Sequence, residues 1–272
     1  MKIFLKCLLT GLLYALITSI VQVPIAGAVN ALLNIQQVDF VKPHMVPFLL
    51  LSMIVVGVAL GYFYYLYGHL FASQSRWIQG LKFSLFAYLS NYIPQVFFLD
   101  AANGFRALVT GGFPVIQVEL YDGLILVGTA LCMVWFMPCR SSAEASPKKS
   151  NWCNGLVCGG VFAAVLCLLQ EVLLPLLGFG SMAEGLGVTG DNLLFFYTVM
   201  AVSFVLTGTL VALYAEKAES PRKFFASYAV LVWCFFDVTM IPLGFGLVPT
   251  LLFMLSSLIA FGAAYSVYRV MK

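Results

Sequence analysis

Two carboxylates lie in stretches of this chain that are otherwise built for hydrocarbon. Glu171 sits inside the apolar run 153–177, and Asp237 inside the run 224–243. An ionisable side chain in such a run is costly unless it is paired or wet, and it normally faces the interior of a helix bundle. Gln22, Asn91 and Gln170 stand at comparable places in their own apolar runs. A carboxylate there can exchange a proton or hold a cation, and carboxamides can hydrogen-bond a small solute. The five side chains together predict a substrate- or ion-binding site. The loop 100–119 carries Arg106 and reads as a re-entrant or lid-like segment over that site. Plainer roles exist for each group. Glu171 reaches the outer interface if its helix ends near Pro175, and Gln22 and Asn91 suit interhelical hydrogen bonding.

The elements that must position these groups follow from composition. Of 272 residues, 62% are hydrophobic and 9% charged. A soluble domain carries roughly 25% charged residues, so lipid is the solvent for most of this surface. A helix needs about 20 apolar residues to cross ~30 Å of hydrocarbon. Stretches near 4–27, 46–70, 77–99, 120–138, 153–177, 192–215, 224–243 and 247–268 qualify. The fold class is therefore all-α, a polytopic membrane bundle of about eight transmembrane helices. Pro24, Pro94, Pro175 and Pro242 lie late in the odd-numbered spans and predict kinks or ends there. Lys2, Lys6 and the apolar run up to Ala26-Gly27-Ala28 also look like a secretory signal. A counterpart of this segment later in the chain favours a first transmembrane helix.

Charge sets the orientation. Lys2, Lys6, Arg76, Lys82, Arg140, Lys148, Lys149, Lys217, Arg222, Lys223, Arg269 and Lys272 fall on one side, and Lys42 and Arg106 on the other. The positive-inside rule places the first group, with both termini, in the cytoplasm of a cell whose plasma (inner) membrane holds the protein. The polar segment 141–151 divides the chain into two four-helix repeats, 1–140 and 152–272. Gly11, Ala15 and Gln22 align with Gly159, Ala163 and Gln170, Gly61 and Tyr67 with Gly208 and Tyr214, and Arg76 and Asn91 with Arg222 and Asp237. An even number of spans per repeat makes the two parallel, related by an axis along the membrane normal.

Other patterns carry less. Gly185-Leu186-Gly187-Val188-Thr189-Gly190 matches a dinucleotide fingerprint in letters only, because it falls between membrane helices and not between a strand and a helix. Gly57-Val58-Ala59-Leu60-Gly61 and Gly155-Leu156-Val157-Cys158-Gly159 suit close helix packing inside the chain, or a homodimer or partner face. The run Tyr62-Phe63-Tyr64-Tyr65-Leu66-Tyr67 reads as an interfacial aromatic belt. The cysteines and two histidines lack metal-ligand spacing, no cofactor motif is present, and the scattered cations form no nucleic-acid patch.

These features favour a transporter or channel-like protein for a small solute, coupled to a proton or cation. Two other classes fit less closely: an intramembrane enzyme acting on a lipid or lipid-linked substrate, and a non-catalytic subunit, assembly factor or receptor. The topology is testable by cysteine-accessibility labelling. Cysteines placed near Ser146 and Glu219 should react from the cytoplasmic side, and those near Asn103 and Gly187 from outside. Labelling of position 103 from the cytoplasm would overturn the layout.

Overall fold

The computed structural model of the protein describes residues 2–25, 27–28, 43–94, 114–139, 151–185, 188, 190, 192–241 and 246–272, with 43, 114–120, 182, 185 and 192 as backbone only. Arg106, the segment 141–150 and Pro242 lie outside the described residues. Among the described residues all regular structure is helical. Helix α1 spans Lys2–Ile20 and runs on through a π turn, Val21–Ile25. Helix α2 spans Val46–Tyr67 and ends in a tight turn, Gly68–Phe71. Helix α3 spans Arg76–Ala87 and continues through the π turn Tyr88–Tyr92. Helix α4 spans Pro114–Phe136. Helix α5 spans Trp152–Cys167, then the π turn Leu168–Leu173 and Leu174–Leu176. Helix α6 spans Asn192–Lys217. Helix α7 spans Pro221–Ser227, followed by the π segment Tyr228–Cys234 and a last stretch to Met240. Helix α8 spans Leu247–Val270.

Six of these rods are long and apolar enough to cross a membrane: Lys2–Ile25, Val46–Phe71, Trp152–Leu176, Leu193–Lys217, Pro221–Met240 and Leu247–Val270. The expected third span is described as far as Pro94, and the fourth has described side chains over Tyr121–Phe136, a shorter apolar helix. Large apolar side chains such as Phe4, Leu5, Leu194 and Val202 stand exposed on the outside of the bundle. That surface fits lipid, where such groups carry no penalty, and the protein is embedded in a membrane.

Helix starts are set locally. The Asn151 side chain accepts from the backbone N–H groups of Cys153 and Asn154, at 3.1 and 3.5 Å. The Ser220 hydroxyl accepts from Lys223 N–H at 3.4 Å, with Pro221 opening α7. These caps satisfy donors that a helix start leaves without intrahelical partners.

Packing then runs in matching pairs. α1 lies along α2, and α5 along α6; α4 packs on α1, and α8 on α5; α3 packs on α4, and α7 on α8. The cross-pairs match as well, since α6 meets the π turn of α3 and α2 meets the π segment of α7. Glycines permit the tightest contacts. A Cβ on Gly57 would lie 2.8 Å from Gly11 Cα and 2.6 Å from Tyr14 Cβ, and one on Gly208 would lie 2.8 Å from Gly159 Cα and 2.9 Å from Phe162 Cβ. In packing terms Gly208 thus corresponds to Gly57, one helical turn from the Gly61 that sequence alignment pairs with it. Apolar helices align at several registers, and only the contact partner distinguishes them. Gly61 and Gly155 also face neighbouring helices of the same chain, so both GxxxG faces are occupied internally.

The aromatic run of α2 departs from its expected role. Tyr62 is exposed, but Phe63, Tyr64 and Tyr67 are buried. Phe63 packs on Phe86 of α3 and on Phe224 and Tyr228 of α7, with ring centroids 6.4, 5.6 and 6.0 Å apart. Tyr67 meets Phe224 at 4.9 Å, and Tyr214 of α6 meets Phe86 at 4.5 Å. Helical spacing turns residues 63 and 67 to one face, and that face meets the other half of the chain. The run is a seam between halves and not a belt.

Alanine at Gly57 or Gly208 should destabilise the protein by about 1–3 kcal/mol, because backbone on the facing helix must move. Alanine at Gly160, where a Cβ meets open space, should be neutral or slightly stabilising. Thermal unfolding of the purified protein in detergent reads the difference. Equal melting temperatures for all three variants would contradict the close-packed helix pairs.

Candidate functional site

Proline dictates the local geometry at three places. It supplies no N–H and its ring crowds the carbonyl four residues earlier, so the preceding turn widens or bends. Pro24 lies inside the π turn of α1, Pro94 follows that of α3, and Pro175 follows that of α5. α7 has a π segment of seven residues, Tyr228–Cys234. Widened turns of this kind interrupt the regular ladder and recur at functional positions in helices. Here they lie on α1, α3, α5 and α7, and Gln22, Asn91, Gln170 and Glu171 sit within them. Asp237 follows the π segment of α7 by three residues.

The side chains differ in burial. Asn91 is 1% exposed, Asp237 2% and Gln170 3%. Gln22 and Glu171 are half-buried. Asn91 lies 15 residues along α3 from Arg76, and Asp237 lies 16 along α7 from Pro221, so each is roughly 23 Å from the end that carries the termini. Between them the two halves touch: the rings of Tyr92 and Phe236, each next in sequence to one of these polar residues, are 4.6 Å apart. The π turn of α3 packs on α6, and the stretch of α7 holding Asp237 packs on α2. Asn91 on α3 and Asp237 on α7 thus flank one seam.

Hydroxyl groups complete this region, and their residue types are too common in apolar spans to stand out in sequence. The Ser90 carbonyl, inside the π turn, accepts from Thr207 Oγ1 at 2.9 Å and from the Tyr228 hydroxyl at 2.8 Å. The same Tyr228 hydroxyl lies 2.8 Å from Ser90 Oγ. One carbonyl of the first half is therefore held by α6 and α7 of the second. The hydroxyls of Tyr14 and Tyr92 are hydrogen-bonded to each other, linking α1 to α3. The Asp122 carboxyl, on α4, is near enough to act electrostatically on both. Asp122 reads in sequence as a helix-start residue, and only the fold brings it to this pair. No sequence signal marks Tyr14 or Tyr92, because tyrosine is common in the apolar spans of this chain.

Glu171 belongs to a different surface. It accepts from the Tyr197 hydroxyl of α6 at 3.1 Å, and its π turn packs on α8 and on the short helix Met182–Gly185. That short helix is closed by a reciprocal pair: Ser181 N–H donates to Glu184 Oε2 and Glu184 N–H to Ser181 Oγ, both at 3.0 Å. The two carboxylates, Glu171 and Asp237, are thus carried on separate helix contacts. Gln22 sits on the π turn of α1, which packs on α4. Gln170 Oε1 is buried with no hydrogen-bond partner among the described residues. Among the described residues no three His, Cys, Asp or Glu side chains gather as metal ligands.

Toward the end that carries the termini the seam is closed. Phe63, Phe71, Phe86, Phe224 and Tyr228 fill it, and Tyr67 Oη lies 3.2 Å from Ser227 Oγ. The polar groups therefore stand above an aromatic floor. Searches with this chain match no protein-family model, no curated protein and no solved structure.

Proposed function

We propose that the protein is a multi-pass transporter or channel-like protein for a small solute, coupled to a proton or a cation at Asp237. In this reading eight spans form two parallel four-helix repeats, both termini are cytoplasmic, and the membrane is the plasma (inner) membrane. The matching packing pairs and the π turns on α1, α3, α5 and α7 support the repeat. The observation that carries the function is the placement of Asn91 and Asp237. A buried carboxyl and a buried amide stand at corresponding points on the two sides of one seam, beside widened helical turns.

Mechanistically, the aromatic floor is the closed inner gate and the polar level above it is the outward-facing site. A proton or cation neutralises Asp237, which lowers the cost of holding the carboxyl between helices. Asn91, Gln170 and Gln22 offer neutral hydrogen bonds to the solute. Tyr14, Tyr92 and Asp122 extend the polar lining toward α1 and α4. Glu171, half-buried beside Tyr197, serves at the outer approach. Opening inward requires rearrangement around Phe63, Phe86 and Phe224, and the π turns are where the helices can change register at least cost.

The test is reconstitution into liposomes with an imposed proton or sodium gradient, a reporting dye inside, and a mixture of amino acids, sugars and organic anions outside. The wild type should dissipate the gradient. Asp237→Asn should abolish this flux and remain folded, because asparagine already occupies the corresponding position 91. Glu171→Gln should reduce the flux without abolishing it. Full flux in Asp237→Asn would remove Asp237 as the coupling site. No flux in the wild type with either gradient would favour the non-catalytic subunit, for which the filled seam is the supporting observation.

A further inference from the structure

The end that carries the termini holds a cleft of about 360 Å³, bordered by Lys6, Tyr64, Arg76, Gln79, Trp135 and Cys139. We propose that this cleft binds the phosphate of an anionic phospholipid in the adjacent leaflet. The inference is independent of the transport reading, since the cleft lies at the opposite end of the spans from Asn91 and Asp237.

Two cations are fixed there. Lys6 Nζ donates to the Phe136 carbonyl at 2.6 Å, and Arg76 Nη1 to the Trp135 carbonyl at 3.5 Å. These bonds anchor both side chains at the last turn of α4. An ammonium has three donors and a guanidinium five, so each retains donors for an anion. Gln79 Nε2 donates to the Gly68 carbonyl at 3.1 Å and braces the floor of the cleft. Among the described residues of the first half the one acidic side chain is Asp122, which stands toward the other end of the spans. At the matching end of the second half, by contrast, Glu216 accepts from Asn151 N–H at 2.9 Å.

The start of α3 adds to the field. Ser75 is extended and makes no side-chain cap, whereas Ser220 caps the corresponding start of α7. The first-turn N–H groups of α3 and its dipole therefore favour an anion beside Arg76.

A lipid source is favoured over a dissolved phosphate by what surrounds the cleft. Trp77 and Trp135 are each 52% exposed, and their rings meet edge-on at 5.4 Å. Exposed indoles at the end of a span sit at headgroup level. The Arg76 guanidinium lies over the Trp135 ring, 5.4 Å from its centroid. Below them Ile78, Leu81 and Leu85 form an exposed apolar stripe along α3, at spacing that keeps them on one face. A headgroup in the cleft leaves acyl chains to lie along that stripe.

The test uses the full chain, purified and delipidated in neutral detergent. Phosphatidylglycerol, phosphatidylcholine and inorganic phosphate are titrated separately against thermal stability. Phosphatidylglycerol should raise the melting temperature well above the effect of phosphatidylcholine. Lys6→Gln with Arg76→Gln should weaken the apparent lipid affinity roughly tenfold or more, since each cation near a membrane surface contributes on the order of a few-fold in binding. Arg222→Gln, at the corresponding start of α7, should leave it unchanged. Equal responses to the two lipids, or an unaltered response in the double variant, would overturn the proposal. Inorganic phosphate matching phosphatidylglycerol would replace the lipid by a dissolved ligand. Should the double variant fail to fold, quenching of wild-type tryptophan fluorescence by brominated lipids decides. Brominated phosphatidylglycerol should quench more than brominated phosphatidylcholine, and Trp77→Phe with Trp135→Phe should remove most of that difference. Equal quenching by the two would overturn the proposal.

Discussion

Hydrocarbon offers no hydrogen bonds, and every other feature of this bundle answers to that constraint. A backbone carbonyl released from a helical ladder must find a donor inside the protein or be left unsatisfied at a cost of several kcal/mol. Among the described residues, four helices interrupt their own ladders with π turns. The Ser90 carbonyl shows how one interruption is resolved, by Thr207 and Tyr228 reaching across from two other helices. The same bonds that satisfy the turn also join the halves. Lipid gives apolar faces no reason to associate, so such bonds and the close glycine contacts of α1 with α2 and of α5 with α6 supply specificity.

The two ends of the seam are built from different chemistry. Near the termini it is aromatic and dense. Farther along it is lined by hydroxyls, amides and carboxyls. Asn91 and Asp237 stand beside widened turns on the two sides of this seam, where polar side chains can hydrogen-bond across helices that lipid gives no reason to associate.

Much of this was legible in the residues, and the remainder has physical reasons for being hidden. Apolar run length fixed the helices because hydrocarbon allows almost no alternative to a helix. Pro24, Pro94 and Pro175 marked where helices 1, 3 and 5 would deform, though not that the deformation would be a π turn. Asp237 and Asn91 stood out because polarity in such runs is expensive. The partnership of Tyr14 with Tyr92 did not, because a tyrosine is unremarkable in an apolar span until its hydroxyl meets another. The run from Tyr62 to Tyr67 misled for the opposite reason. Aromatics suit both an interface and a packed seam, and only the direction of each ring separates the two. The register of Gly208 against Gly57 was likewise open, since neighbouring small residues one turn apart offer the same letters to an alignment.

The aromatic seam also has a consequence for biogenesis. Phe63, Phe71 and Phe86 belong to the first half, and Tyr214, Phe224 and Tyr228 to the second. While the ribosome has delivered only the first four helices, those phenylalanines rest against acyl chains and lose little. The Ser90 carbonyl is different, because its donors on α6 and α7 have yet to be made. Until they arrive this acceptor lacks both of its interhelical partners, which favours late docking of α6 and α7 over premature closure or pairing with another half-chain.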